Sequence, residues 1–169
     1  MKTVAVMVVA TGVVIVGVFL YRALRSEKTA IQPIAYSHKI HIENAGLTCV
    51  DCHATVETSA SAAIPDLALC TNCHSDAPLS QSPEEAKLRQ YVAGGNEIPW
   101  MRIYTVPDHV YFSHRRHVIR GEVQCPTCHG NVAEYSTPIT SAFLPVTMEN
   151  CMRCHRERKV SNDCLSCHR

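Results

Sequence analysis

The stretch YSHKIHIENAGLTCVDCH, Tyr36–His53, places two histidines three residues apart and follows them with a Cys-x-x-Cys-His motif. In c-type haem attachment, two thiols with this spacing add to the vinyl groups of a porphyrin, and the following histidine binds the iron. The spacing puts both sulfurs on one side of a short helical turn, from which the adjacent imidazole reaches the metal. The stretch therefore predicts a covalently bound haem.

The motif occurs five times and uses all ten cysteines of the 169-residue chain. The cysteine pairs are Cys49 and Cys52, Cys70 and Cys73, Cys125 and Cys128, Cys151 and Cys154, and Cys164 and Cys167; the motif histidines are His53, His74, His129, His155 and His168. Zinc is the main alternative, but a zinc site does not require a histidine directly after every second cysteine. No cysteine is left over for a disulfide. We therefore predict five covalently bound haem c groups, each with its motif histidine as proximal ligand.

Each haem iron has a second axial position, and an internal repeat supplies candidates for it. The opening stretch returns as FSHRRHVIRGEVQCPTCH, at a constant offset of 76 residues. Repeats of this kind mark a reused structural unit. Because one iron has a single free axial position, two histidines on one helical turn must serve two neighbouring irons. Each unit therefore organises a haem pair, and the predicted distal ligands are His38, His41, His114 and His117.

The fifth iron must find its distal ligand elsewhere in the chain. The candidates are His109, Met101 and Met148. Met148 lies three residues before Cys151, where the first unit has Leu67, and it is placed ahead of His109. The alternative role for Met148 is that of a soft apolar packing residue.

Chain length predicts the fold class. Fewer than 150 residues surround five macrocycles, so the polypeptide cannot enclose them in a conventional apolar core. We expect a mainly α fold with much irregular structure and little or no sheet, with the haems forming most of the core. One helix is predicted in SPEEAKLRQYVAGG, with Ser82 as N-cap, Glu85 completing a capping box, and Gly94 and Gly95 as a stop. The predicted organisation is an anchor at 1–21, a linker at 22–35, repeat units at 36–74 and 112–155 separated by a helix and connector at 75–111, and the fifth haem at 156–169.

The N-terminal stretch predicts a transmembrane helix. Thr3–Leu20 is uncharged and almost wholly apolar, long enough for about 27 Å of helix. A cleaved signal is the alternative, but no small-x-small site follows. The positive charges after the stretch would place the remainder in the cytoplasm. Covalent haem attachment takes place outside the cytoplasmic membrane, however, so we expect a single-pass anchor in that membrane and a periplasmic haem domain.

Charge does not favour nucleic acid as a partner. The formal net charge is +1 before cofactors are counted. Two propionates on each of five haems add about ten negative charges, so the loaded protein is expected to be acidic.

The order PIAYSHKIH, CVDCH, CTNCH, IPWMRIYTVPDHVYFSHRRHV, CPTCHG and TMENCMRCHR resembles the membrane-anchored pentahaem cytochrome c subunit of alternative complex III, a quinol-oxidising assembly. The likeness covers nearly the whole chain from Pro33. It implies an electron-transfer subunit rather than a catalyst by itself. Its partners would be an iron–sulfur, molybdopterin-like subunit, quinol-binding membrane subunits, and a monohaem cytochrome c subunit or other periplasmic acceptor. The resemblance also favours one histidine–methionine haem beside four bis-histidine haems, in keeping with Met148.

Two other functions remain open from the sequence. A stand-alone membrane-anchored multihaem quinol dehydrogenase feeding periplasmic reductases has a methionine two positions after its first motif, whereas this chain has Thr55 there. A catalytic multihaem reductase needs an open or lysine-ligated iron, and the sequence has no Cys-x-x-Cys-Lys.

Overall fold

The computed structural model describes residues 12, 14–21 and 29–168, which form short helices joined by irregular segments. The helices are α1 (His38–Glu43), α2 (Cys49–Cys52), α3 (Leu67–His74), α4 (Pro83–Gly94), a π-helix (Arg116–Arg120), α5 (Pro126–His129), a 3-10 helix (Val132–Glu134), α6 (Met148–Glu157) and α7 (Cys164–Cys167). No strand forms within these residues, and one isolated antiparallel bridge joins Val110 to His168. The predicted mixture of helix and irregular structure is confirmed for this part of the chain.

The predicted N-terminal transmembrane helix is the part of the predicted fold class that the structure corrects. In this part of the chain the structure describes residues 12 and 14–21, which are helical. Within the described ranges, no helix combines the length and the apolar character of a membrane span. The remainder of Met1–Leu20 lies outside the described residues.

The side-chain core is small. Ile34, Leu67, Leu88 and Ile98 form one buried cluster, and Trp100 is among the partly buried residues packed against it. These residues join the segment before α1 to α3, α4 and the connector after α4. A core of this size leaves the motif turns near the surface, in keeping with an expected fold in which cofactors supply much of the packing.

Helix α4 has the predicted N-cap, Ser82, and ends at the predicted glycines, but Glu85 does not complete the predicted capping box. Ser82 is the N-cap and accepts a hydrogen bond from Glu84 N, and Pro83 occupies the first turn. Gly95 adopts a left-handed conformation with φ 61° and donates to the carbonyls of Tyr91 and Val92. This left-handed C-terminal residue is the usual way in which a glycine ends a helix.

The two repeat units have matching backbone hydrogen bonds. Leu47 N donates to His41 O at 3.2 Å, and the equivalent Val123 N donates to His117 O at 3.0 Å. The units are also bonded to each other, since Lys39 N donates to Tyr135 O at 3.0 Å. The chain is therefore a tandem repeat in structure as well as in sequence.

Candidate functional site

Each Cys-x-x-Cys-His motif lies on or at the end of a helix, and four of these five helices begin at a polar N-cap residue, the exception being α5, whose N-cap is Cys125. Thr48 caps α2 in a capping box with Asp51, whose carboxylate accepts from Thr48 N and Thr48 Oγ1 at 2.7 Å. Asp66 caps α3 and Asp163 caps α7 through their carboxylates. We name the five positions by chain order: site 1 (Cys49, Cys52, His53), site 2 (Cys70, Cys73, His74), site 3 (Cys125, Cys128, His129), site 4 (Cys151, Cys154, His155) and site 5 (Cys164, Cys167, His168). All ten cysteines are free thiols.

A second histidine lies close to the motif histidine at every site. The ring centroids are 6.4 Å apart for His41 and His74, 6.4 Å for His114 and His129, 6.1 Å for His117 and His155, and 5.6 Å for His109 and His168. At site 1, His53 lies near enough to His38 to lower the pKa of His38, as the second cause behind burial. A metal ion held between two imidazoles lies about 2 Å from each nitrogen, which sets the ring centres about 6 Å apart. The four pairs with measured ring separations, at sites 2 to 5, therefore have the spacing that a bis-histidine iron requires.

The two main candidates for the fifth distal ligand, His109 and Met148, lie in different surroundings. His109 lies beside His168 with an angle of 16° between the ring planes, in the same relation as the other pairs. Met148 begins α6 and is 66 % exposed. Met101 is 53 % exposed, and its backbone is bonded to the Gln32 side chain. The structure thus brings His109, and not Met148, into the arrangement of the other histidine pairs.

Hydrogen bonds to backbone carbonyls set the tautomer of five of these ten histidines. Backbone carbonyls accept from Nδ1 of His41 (Ser37, 2.8 Å), His117 (Ser113, 2.8 Å), His53 (Ala63, 2.9 Å), His114 (Ala60, 3.0 Å) and His155 (Ser161, 2.7 Å). Because a carbonyl oxygen only accepts, Nδ1 carries the proton and the Nε2 lone pair is left for a metal. Orientation of a ligating histidine through its other ring nitrogen is typical of metal sites.

Burial keeps two of the histidines neutral. It lowers the pKa of His38 to about 4, with smaller contributions from His53 and His41. Burial is also the largest cause that lowers the pKa of His129, and the nearby His114 and His53 lower it further. A neutral imidazole is the form that binds a metal, so both side chains are ready to act as ligands near pH 7.

One aromatic residue packs against both distal histidines in each repeat unit. Tyr36 lies parallel to His41 at 4.3 Å and edge-on to His38 at 4.9 Å. Phe112 repeats this with His117 at 4.7 Å and His114 at 4.9 Å. The sequence reasoning missed this role, although Tyr36 and Phe112 share the 76-residue offset of the histidines and could have been found from it.

Site 2 differs from the others in the partner of its motif histidine. His74 Nδ1 lies 3.1 Å from the Glu85 carboxylate, which also accepts from Leu79 N at 2.7 Å and from Ser80 Oγ at 2.6 Å. The sequence assigned Glu85 to a capping box with Ser82. Instead, Ser82 N donates to Ser80 Oγ, and the Glu85 carboxylate accepts from Ser80, Leu79 and His74. A glutamate three residues after an N-cap is typical of a capping box, so the sequence carried no separate signal for this contact.

The thiols show which sites are neighbours. Burial is the largest cause that raises the pKa of the Cys70 thiol, and the nearby Cys52 is the second. Burial and then Cys49 raise the pKa of the Cys125 thiol in the same way. Burial also raises the pKa of Cys128 and of Cys151. The next cause is Cys154, with Cys151, for Cys128, and Cys167 for Cys151. Backbone contacts agree, because the loop that supplies Ala63 O to His53 also supplies Ala60 O to His114. The sites therefore follow one another in the order 2, 1, 3, 4, 5.

The residues present fit covalently attached haem: paired thiols on one turn, a motif histidine, and an opposing imidazole at metal-bridging distance. Together with the helical, strand-poor fold, they define a multihaem cytochrome c, whose role is electron transfer. The model of the family described as cytochrome c7 and related cytochrome c matches residues 34–88 and 110–169, and this chain belongs to that family. It is also 35 % identical over 162 residues to the multiheme cytochrome c subunit of menaquinone reductase from Nitratidesulfovibrio vulgaris (strain Hildenborough), covering 82 % of this chain and 77 % of the relative.

Proposed function

We propose that the chain binds five haem c groups and relays electrons along them within a quinone-linked oxidoreductase complex. The observation that carries the proposal is that each of the five Cys-x-x-Cys motifs has a histidine pair beside it. The ten cysteines hold the macrocycles, and the five motif histidines are the proximal ligands. Each haem supplies a one-electron iron couple when bound.

We assign the distal positions to His38, His41, His114, His117 and His109, at sites 1, 2, 3, 4 and 5 respectively. His109 is favoured over Met148 for site 5, because its ring is 5.6 Å from that of His168 while Met148 is largely exposed. All five irons would then have two histidine ligands.

The order of the sites supports a relay rather than a catalyst. Sites 2 and 5 lie at the two ends, with sites 1, 3 and 4 between them. Every iron has both axial positions assigned to this chain's own histidines, which leaves none for a substrate. The residues hold and orient cofactors, and the chain passes electrons from one end to the other.

The partners are proposed from the two resemblances. The motif order resembles the pentahaem subunit of alternative complex III, and the relative from Nitratidesulfovibrio vulgaris is named as a subunit of menaquinone reductase. We propose an iron–sulfur, molybdopterin-like subunit and quinone-binding membrane subunits as neighbours, with a monohaem cytochrome c as acceptor. Because c-type attachment takes place outside the cytoplasmic membrane, the haem domain would lie on the periplasmic side.

The direction of electron flow has two candidates. The likeness to alternative complex III favours transfer from menaquinol to a cytochrome or another periplasmic acceptor. The name of the relative favours the opposite direction, into menaquinone. The same order of sites serves both.

Purification of the native complex tests the proposal. Its subunits would be identified by mass spectrometry, and covalent haem per chain would be counted by the pyridine haemochrome method, with five expected. Comparing the rates of menaquinol oxidation and menaquinone reduction by the complex then decides the direction. A chain isolated without partners and with fewer than five haems would refute the proposal.

A further inference from the structure

Sites 2 and 4 are equivalent positions of the repeat, and their distal sides match. His41 and His117 each donate Nδ1–H to the carbonyl of the serine four residues earlier, at 2.8 Å in both units. The ring separations to the motif histidines are 6.4 Å and 6.1 Å. Differences between the two sites must therefore arise mainly on the proximal side.

The proximal sides differ in charge. At site 4, His155 Nδ1 donates to the neutral backbone carbonyl of Ser161 at 2.7 Å. At site 2, His74 Nδ1 lies 3.1 Å from the Glu85 carboxylate. Glu85 is only 8 % exposed, and the side chain of His74 is 18 % exposed, so water screens this contact weakly.

Two donors hold the Glu85 carboxylate in place. Ser80 Oγ donates to one oxygen at 2.6 Å, and Leu79 N donates to the oxygen that faces His74 at 2.7 Å. Both carboxylate oxygens therefore accept hydrogen bonds, as an ionised carboxylate does, and the ionised form is the ordinary one for a glutamate near neutral pH.

The backbone of His74 is held by the same helix. Arg89, one turn beyond Glu85 on α4, donates to the carbonyls of His74 and Asp76 at 3.3 and 2.6 Å. Helix α4 thus fixes both the main chain and the ring of this one motif histidine.

We propose that Glu85 is a positioning residue that lowers the reduction potential of the haem at site 2 below that of the haem at site 4. The proposal rests on the proposed function, in which His74 and His155 are haem ligands. An anionic acceptor on Nδ1–H makes the imidazole a stronger donor to iron, which stabilises the ferric form, and hydrogen bonding around the ligands is a recognised determinant of haem potential. Site 2 is one end of the series, so a low potential there biases electrons away from that end and towards site 5.

The test uses the full chain loaded with haem, in the parent and in Glu85→Gln. Glutamine keeps the size of the side chain: its oxygen can still accept from Leu79 N and His74, and its amide N–H can donate to Ser80 Oγ. The negative charge beside His74 is removed. We expect the equilibrium constant for reduction of one haem to rise about tenfold, equivalent to about 59 mV in a one-electron redox titration. The ferric low-spin electron paramagnetic resonance signal of the same haem should change, and the remaining four should not.

Glu84→Gln is the matched control. Glu84 is the neighbouring residue on α4, and its carboxylate accepts from Ala35 N at 2.6 Å and from Lys87 at 2.7 Å. This variant loses a charge and weakens a tertiary contact of the same helix without altering the partner of His74, so its potentials should match those of the parent. An equal shift in Glu84→Gln, or unchanged potentials in a five-haem Glu85→Gln protein, would overturn the proposal.

A second variant keeps the proposal testable if Glu85→Gln does not acquire its haems. Ser80→Ala retains the Glu85 charge but removes one donor, so more negative charge acts on His74. The potential of the haem at site 2 should then fall rather than rise, and no change would overturn the proposal. Failure of the proposed function itself is recognised separately, because the parent chain would then lack a covalent haem on Cys70 and Cys73.

Discussion

A histidine that binds iron uses one ring nitrogen for the metal and leaves the other for the protein. In this chain Nδ1 faces a backbone carbonyl at five of the ten histidines and a carboxylate at a sixth. The sequence identifies the histidines but not these partners, since a carbonyl from any residue can accept. The difference between Ser161 O and Glu85 therefore becomes visible only in the folded chain.

The first prediction concerns the distal ligand of site 5. His109→Ala removes one imidazole from the pair with His168, so one of the five haems should become high-spin in the ferric state. Met148→Leu is the control and should leave all five low-spin, because Met148 is 66 % exposed. Magnetic circular dichroism of the oxidised protein measures both. A lost sulfur-ligation band in Met148→Leu, with no change in His109→Ala, would return the assignment to Met148.

The second prediction concerns the aromatic residue beside the distal histidines. Tyr36→Ala removes the ring that packs on His38 and His41. It should cost about 2–3 kcal/mol of stability, less than the roughly 3–5 kcal/mol of a fully buried aromatic residue, because Tyr36 is half-buried. Tyr36→Phe is the control, because Phe112 has the same geometry in the second unit, and it should be close to neutral. Thermal unfolding of the haem-loaded proteins provides the comparison. Equal destabilisation by both changes would show that the hydroxyl, and not the ring, carries the effect.

At the level of elements, each site depends on how its helical turn begins and ends. The caps at Thr48, Asp66 and Asp163 could be recognised from sequence, as could both ends of α4. The way in which α5 ends could not be predicted from the sequence. Gly130 follows His129 with φ 70° and ψ −175°, a conformation that is essentially restricted to glycine, and this appears only in the backbone.

The third prediction follows from Gly130. A Cβ at this position would lie 2.8 Å from the Phe143 ring and 3.1 Å from the Tyr135 hydroxyl, in addition to the backbone strain. Gly130→Ala should therefore cost about 2–4 kcal/mol and displace His129, which lowers haem occupancy at site 3.

Gly46→Ala separates the effect of backbone strain from that of crowding by neighbouring side chains. Gly46 also has a positive φ, 69°, but a Cβ there meets no atom within 4 Å, so only the backbone term of about 1 kcal/mol remains. Denaturation curves and haem counts of the two variants give the comparison. If both lose the same stability and both keep five haems, crowding at Gly130 has no effect.

For the whole molecule, the sequence predicted the cofactor class, the repeat and the scarcity of sheet. It could do so because the motifs are local and the repeat is marked by identical spacing. The neighbour order of the sites and the nearness of His109 to His168 depend on contacts between distant parts of the chain, which spacing does not encode. The predicted membrane span rested on apolar composition alone, and no helix among the described residues has both the length and the apolar character of such a span.

The fourth prediction uses the position of site 5 at one end. Replacing both Cys164 and Cys167 with alanine should leave four covalent haems, because sites 1 to 4 draw their ligands from residues before 156. Pyridine haemochrome absorbance per chain should fall to about four fifths of the parent value, with the four remaining potentials little changed. Loss of further haems would mean that the end of the chain helps to form the earlier sites.

The ring pairs also bear on biosynthesis. On the assignment proposed above, the distal histidine of each pair comes earlier in the sequence than the motif it faces: His38 and His41 precede the motifs of sites 1 and 2, His114 and His117 those of sites 3 and 4, and His109 that of site 5. A polypeptide is made from its N-terminus, so each motif emerges after its future partner has already been synthesised. No site has to wait for a ligand from chain that is still to come, and maturation can follow translation in the numerical order 1 to 5. That order differs from the spatial series 2, 1, 3, 4, 5, so in the proposed relay the first haem to be installed would lie inside the series and the second would be at one of its ends.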